Sequence, residues 1–268
     1  MDYNELIGLV RETNRPPGGE KTIVRVAQEL FLRENHRVLE IGTSTGITAI
    51  ELARLTNATV IGIDINPQSL EEAKVRAIKY GTQKKTIFEK EDATNLSYPD
   101  GSFDVVFCGN VTSLIADREK ALEEYSRVLK TGGFLVAVPM YYVQKPSAKL
   151  IKEVSKAIRV AIKPLYKEYW VEFFNVEPFQ IYFQEDYCFD NISPEKVNEF
   201  VDTILGREHL KCLKPEARDM LDKKYFQYMQ LFRKNLAHMG YTILILRKEP
   251  EPVDPELFTS KKVMVNNI

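Results

Sequence analysis

A short apolar run ending in a glycine-punctuated turn constrains this chain more than any other stretch. Val38, Leu39 and Ile41 surround Glu40, and Gly42-Thr43-Ser44-Thr45-Gly46 follows. Ile47, Ile50, Leu52, Ala53 and Leu55 then supply the apolar face of a helix. The run reads as a central parallel strand. Glycines in the turn remove the Cβ atoms that would keep a ligand off the backbone, beside the N–H groups that open the helix. A second apolar run, Val60-Ile61-Gly62-Ile63, ends on Asp64, 22 positions after Gly42. A carboxylate there can accept both hydroxyls of a ribose, so the pair reads as a nucleoside-binding βαβ unit. A dinucleotide fingerprint would place glycines at 42, 44 and 47, but Ser44 and Ile47 stand there.

The alternation continues. Strands are expected at 37–41, 59–64, 86–90, 104–109 and 133–140, with helices at 45–56, 67–80 and 117–130. That order implies a parallel sheet covered by helices on both faces, with ligands beyond the carboxyl ends of the strands. Glu40 and Gly42, Asp64 and Ile65, Asp92 and Ala93, and Asn110 all fall at such ends. A chain of 268 residues can form one large α/β domain with an elaborated cap, burying about three-quarters of its unfolded surface. The net charge of −1 gives no global attraction to nucleic acid or anionic membrane. Cys108, Cys188 and Cys212 are odd in number and lack zinc spacing, which fits reduced thiols. The first residues lack a signal-peptide layout, and the longest apolar run, 134–143, is about half a membrane span. The expectation is a soluble cytoplasmic protein.

The spacing Glu40-x-Gly42-x-x-x-Gly46, with Asp64 downstream, resembles the class I S-adenosylmethionine-dependent methyltransferases. The resemblance continues through Glu91-Asp92-Ala93, Phe103-Asp104-Val105-Val106-Phe107 and the stretch Arg127 to Val136, covering roughly residues 36–140. Ser44 departs from the pattern, where many members carry a third glycine. The resemblance implies a Rossmann-like α/β fold with a mostly parallel seven-stranded sheet and S-adenosylmethionine as cofactor. It implies cofactor contacts from Glu40, Gly42, Thr43, Ser44, Gly46, Asp64, Ile65 and Asn110. Asp92 would meet the adenine amino group and Ala93 the ring. A preceding helix usually covers the methionine end in this family, which adds Lys21 and Thr22.

The flanks are less regular. A helical lid is expected over 1–35, with a turn at Asn14 to Gly19, ahead of the cofactor-binding core at 36–140. In 141–190, a basic amphipathic helix (Lys145, Lys149, Lys152, Lys156, Arg159, Lys163) runs to Pro164. It precedes an aromatic cluster and a sixth strand at 179–189. Two helices in 191–239 read as a cap, 240–248 as the last core strand, and 249–268, rich in proline and acids, as a tail. Tyr141, Tyr169 and Trp170 are candidates to line a substrate pocket.

Methyl transfer from a sulfonium needs no acid for departure, and a base only where the nucleophile carries a proton. Many relatives have a His pair after the fourth strand; Ser113 and Leu114 stand there. His36 precedes the first strand, and His209 and His238 fall in or beside the cap helices. Tyr141 and Tyr142 are the remaining weak catalytic candidates. The metal ligands of catechol-type members are replaced by Cys108-Gly109-Asn110 and Met140-Tyr141-Tyr142, so no metal is expected. The leading expectation is metal-independent methylation of a small molecule at O, N or C. Two alternatives stand beside it: RNA or protein methylation through the basic face of 145–163, and a non-catalytic sensor or scaffold that binds the cofactor.

Overall fold

The computed structural model describes residues 3–249, with side chains from Leu6; the expected tail lies, beyond Glu249, outside them. Strands β1 (Arg37–Ile41), β2 (Thr59–Asp64), β3 (Thr86–Lys90), β4 (Phe103–Phe107) and β5 (Leu129–Ala137) pair in parallel in the order β3-β2-β1-β4-β5. Helices α3 (Ile47–Thr56), α4 (Pro67–Lys79) and α5 (Arg118–Val128) make the crossovers. Asn66 caps α4 through the Gln68 and Ser69 N–H groups, with Pro67 at the first helical position. The expected alternation is present, with ends displaced by a few residues.

The sheet has eight strands rather than seven. The last strand, β8 (Met239–Lys248), runs antiparallel to β5 over Leu244–Arg247 and to a short β6 (Met140–Tyr142) over Met239–Tyr241. Its other edge carries β7 (Phe179–Cys188), also antiparallel. β5 and β6 therefore lie end to end along one side of β8. The interruption falls at Pro139, which has no N–H to give the ladder. The Val138 N–H turns instead to the Gly109 carbonyl (2.8 Å).

Helix α2 (Glu20–Glu29), with α3 and α4, covers one face through Ile23, Val26, Ile50, Leu52 and Ala73. The other face is covered by α5 and α7 (Lys167–Phe174), through Tyr125, Val128, Trp170 and Phe174. α7 was not foreseen, because its run Lys167-Glu168-Tyr169-Trp170-Val171-Glu172-Phe173-Phe174 mixes helix and strand preferences. The cap helices α8 (Pro194–Leu205) and α9 (Pro215–Leu236) join α1 (Tyr3–Val10) in a third cluster around Leu6, Val10, Val201, Leu221 and Tyr225. Helix α6 (Ala148–Ile158) buries Leu150, Val154 and Ala157 and exposes Lys149, Lys152 and Lys156. It ends well before Pro164, because Arg159 turns left-handed (φ 56°).

Candidate functional site

The carboxyl ends of β1, β2, β3 and β4 converge, and the glycine turn lies across the first. Gly42 (φ 70°), Ser44 (φ 51°) and Gly46 (φ 77°) are all left-handed, so the chain reverses tightly before α3. A Cβ on Gly42 would lie 2.6 Å from Val111 Cγ2, and one on Gly46 2.6 Å from the Ala73 Cβ. Only a glycine hydrogen fits at either place. Ser44 pays strain in the left-handed region but donates its N–H to Asp64 Oδ2 (2.9 Å).

Asp64, half-buried at the end of β2, also accepts the Asn66 N–H at Oδ1 (2.9 Å). The two backbone donors, one from each loop, fix the orientation of the carboxylate. A carboxylate has about four acceptor sites, so each oxygen keeps one for a ligand. Beside it, Ile65 is 70% exposed and forms an apolar edge. Asp92 is exposed and accepts the Thr94 N–H (2.9 Å) and hydroxyl (2.8 Å), both at Oδ1; these bonds lower its pKa. No described residue bonds its Oδ2. Ala93 beside it is buried. Asn110 uses Oδ1 for the Met140 N–H (2.9 Å), which ties the end of β4 to β6.

Glu40 faces inward. It is 4% exposed and accepts the Thr43 hydroxyl at 2.5 Å. Burial pushes its pKa up to about 7, against the opposing pull of hydrogen bonds from Thr43, Thr48 and the Ala49 N–H; nearby Asp64 adds to the rise. Thr43 is itself buried, so the Glu40–Thr43 pair supports the turn from beneath. Lys21 is exposed and lines a groove of about 450 Å³ with Arg25, Glu185 and Tyr187, between α2 and β7. Thr22 is buried and donates its hydroxyl to the Pro17 carbonyl (2.6 Å), closing the 14–19 turn.

A set of residues that sequence reasoning missed holds the N-terminal strap to this turn. Thr45 donates to the Glu12 carbonyl (3.0 Å) and accepts from Arg76 Nη1 (2.7 Å). Arg76 Nη2 donates to the Arg11 carbonyl (2.6 Å), and Arg207 Nη1 to the Val10 carbonyl (2.6 Å). Tyr225 donates to Glu12 Oε2 (2.8 Å), and burial raises the Glu12 pKa. Five segments separated in sequence meet here, and no spacing pattern announces such a meeting.

The weak catalytic candidates are occupied. Tyr141 is 5% exposed and donates to the Tyr241 carbonyl (3.3 Å); Tyr142 is 3% exposed and donates to Asn235 Oδ1 (2.9 Å). Burial raises both pKa values, so neither phenol yields its proton readily. His209 bonds the Leu9 carbonyl (3.0 Å) at the end of α1, and His36 Nδ1 accepts the Arg33 N–H (3.0 Å) at the amino end of the sheet. The described residues contain no group of three metal-binding side chains. No helix among them is long and apolar enough to cross a membrane.

A glycine turn, an oriented carboxylate after β2 and an exposed one after β3 stand at neighbouring strand ends. Residues 39–137 match the methyltransferase domain family. The chain is 35% identical over 234 residues to the 27-O-demethylrifamycin SV methyltransferase of Amycolatopsis mediterranei, covering 84% of this chain and 81% of that one. It is a class I S-adenosylmethionine-dependent methyltransferase. Among solved structures, the methyltransferase resembles the MccD protein (TM-score 0.74, 26% identity), over 88% of this chain and all of that one. A methyltransferase from Geobacter sulfurreducens in complex with S-adenosyl-L-homocysteine shares the fold at TM-score 0.65 and 18% identity, over 92% of this chain and 98% of that one. The cofactor is S-adenosylmethionine. Gly42, Asp64, Asp92 and Asn110 lie at the carboxyl ends of β1, β2, β3 and β4.

Proposed function

We propose that this methyltransferase methylates a small molecule at oxygen, nitrogen or carbon, chiefly by holding acceptor and donor in line. What supports this reading is the placement of the glycine turn, Asp64 and Asp92 at neighbouring strand ends, the aromatic wall of α7 beside the first residue of α5, and the occupied hydroxyls of Tyr141 and Tyr142. The cofactor supplies an electrophilic methyl on a sulfonium, whose departure leaves a neutral thioether. The chain's own part is to bind and orient. Asp64 holds the ribose hydroxyls, Asp92 and Ala93 receive the adenine, and the turn 42–46 receives the amino-acid end. Glu40 and Thr43 keep that turn rigid, and the aromatic wall excludes water from the acceptor. Alignment of this kind can lower a barrier by about 7–11 kcal/mol without proton transfer. An acceptor that is already ionised, or a carbon nucleophile, suits a site without a base. The rifamycin relative's name denotes an O-demethylated acceptor, which supports a hydroxyl-bearing small molecule.

The test is calorimetric titration with S-adenosylmethionine, S-adenosylhomocysteine and NAD, followed by an acceptor panel read by mass spectrometry for a 14-dalton gain. Binding of the sulfur nucleosides alone, with turnover of a small acceptor, is expected. Cofactor binding without turnover anywhere on a broad panel would favour the sensor alternative. The macromolecular alternative predicts that charge reversal at Lys149, Lys152 and Lys156 abolishes RNA or protein methylation. The small-molecule reading predicts unchanged turnover.

A further inference from the structure

Of the arginines that are not fully exposed among the described residues, Arg118 has an unusual set of partners. Arg25, Arg76, Arg127 and Arg218 pair with carboxylates, and Arg207 and Arg233 donate to carbonyls. The Arg118 guanidinium has neither. It lies 5.3 Å from the ring centroid of Trp170 and 6.0 Å from that of Tyr169, and donates only to the Tyr169 hydroxyl, at 3.3 Å. Trp170 is 2% exposed, and its indole N–H has no hydrogen-bond partner. An unsatisfied buried donor costs about 1–3 kcal/mol, and one retained in a core calls for an explanation.

Both residues lie in helix N-terminal turns: Arg118 is the first residue of α5 and Trp170 the fourth of α7. α7 has no side-chain cap at Tyr166, and Arg118, at the start of α5, reaches across to the rings of Tyr169 and Trp170 in the first turn of α7. Acids are also near: Asp117 caps α5 through the Lys120 N–H, and Glu119 and Glu168 stand exposed in the first turns. None of the three bridges to Arg118. What the cluster offers is a cation, an indole N–H and a phenol against flat aromatic faces: donors in excess of acceptors.

We infer that Arg118, Tyr169 and Trp170 form the acceptor-specificity site of this methyltransferase, and that it takes a flat acceptor bearing an anionic oxygen, a carboxylate or phenolate. The anionic oxygen pairs with the half-buried Arg118 and the acceptor's ring stacks on the half-buried Tyr169; drawing the guanidinium off the Trp170 ring opens the orphan indole N–H, buried while Arg118 lies over that ring, to the same oxygen. This rests on the small-molecule reading above. An acceptor held as its anion needs no base.

Trp170 is the chain's single tryptophan, so its fluorescence reports on this site alone. The experiment excites the full-length protein at 295 nm while benzoate is added, with benzamide as the neutral isostere, and S-adenosylhomocysteine binding is measured in parallel. Benzoate should produce a saturable change with a midpoint of about 1 mM, as befits so small a ligand, and benzamide should not. Arg118→Gln should weaken the benzoate response at least tenfold, Arg118→Lys should recover part of it, and S-adenosylhomocysteine affinity should hold in both. For any acceptor found by the panel, Arg118→Gln should raise KM more for the anionic than for the neutral member of a matched pair. Equal responses to benzoate and benzamide, no saturable response, or an Arg118→Gln response like the wild type overturns the proposal and leaves the methyltransferase reading standing. Loss of S-adenosylhomocysteine binding in the wild type overturns the reading beneath it.

Discussion

The sharpest consequence of the glycine turn's support concerns Glu40. In the folded chain its carboxyl is buried against Thr43 with a pKa of about 7, against about 4.5 for an ordinary glutamate. Between those values the unfolded chain gives up its proton and the folded chain keeps it, so stability falls as pH rises. One pH unit corresponds to about 1.4 kcal/mol, so the loss reaches about 3 kcal/mol above pH 7 and is absent below pH 4.5. Glu40→Gln keeps the shape and an acceptor for the Thr43 hydroxyl but removes the ionisation. Relative to wild type, the cofactor-free variant should gain stability from pH 5 to pH 8, by about 2–3 kcal/mol. For a chain of this size that is about 5–10 °C in melting temperature. Differential scanning calorimetry of both proteins at pH 5, 6, 7 and 8 isolates the difference. A difference that does not change with pH, or one that turns against the variant as pH rises, would refute the argument. Adding S-adenosylmethionine, whose ammonium and sulfonium favour an ionised neighbour, should shrink or reverse the variant's advantage at pH 8.

Other residues give shorter predictions. Asp64→Ala should weaken S-adenosylhomocysteine binding by about 1.5–3 kcal/mol, tenfold or more by calorimetry, and should also lower stability because the Ser44 and Asn66 N–H groups lose their acceptor. An unchanged affinity would remove Asp64 from the cofactor site. Gly46→Ala combines a left-handed φ of 77° with a Cβ 2.6 Å from that of Ala73, and should cost about 2–4 kcal/mol in urea unfolding. The pair Gly46→Ala with Ala73→Gly should recover part of the loss. Cys108 is fully buried with its thiol pKa pushed up to about 12 by burial, while Cys188 and Cys212 are exposed. A thiol reagent at pH 8 should therefore modify two cysteines in the native protein and the third only after unfolding; three fast equivalents would contradict the fold around β4.

Local chemistry made the centre of this methyltransferase legible. Gly42, Gly46, Asp64, Asp92 and Asn110 announce themselves because a tight turn, a cap and a strand end each need particular residues within a few positions. Periodicity did the same for the strand–helix alternation and for the two faces of α6. Tertiary structure decided the rest. Tyr141 and Tyr142 stand at the mouth of the sheet in sequence, yet packing turns their hydroxyls to Tyr241 and Asn235. Thr22 sits in the expected helix but spends its hydroxyl on Pro17. The strand expected at 133–140 is interrupted at Pro139, and its two pieces are held in line by β8, a partner more than 95 residues away. The strap network joins Glu12, Thr45, Arg76, Arg207 and Tyr225, and Arg118 meets Trp170 across 52 positions. A turn or a strand end is set by neighbours in the chain, whereas an ion pair, an orphan donor or a buried carboxyl is set by which distant surfaces the packed core brings into contact.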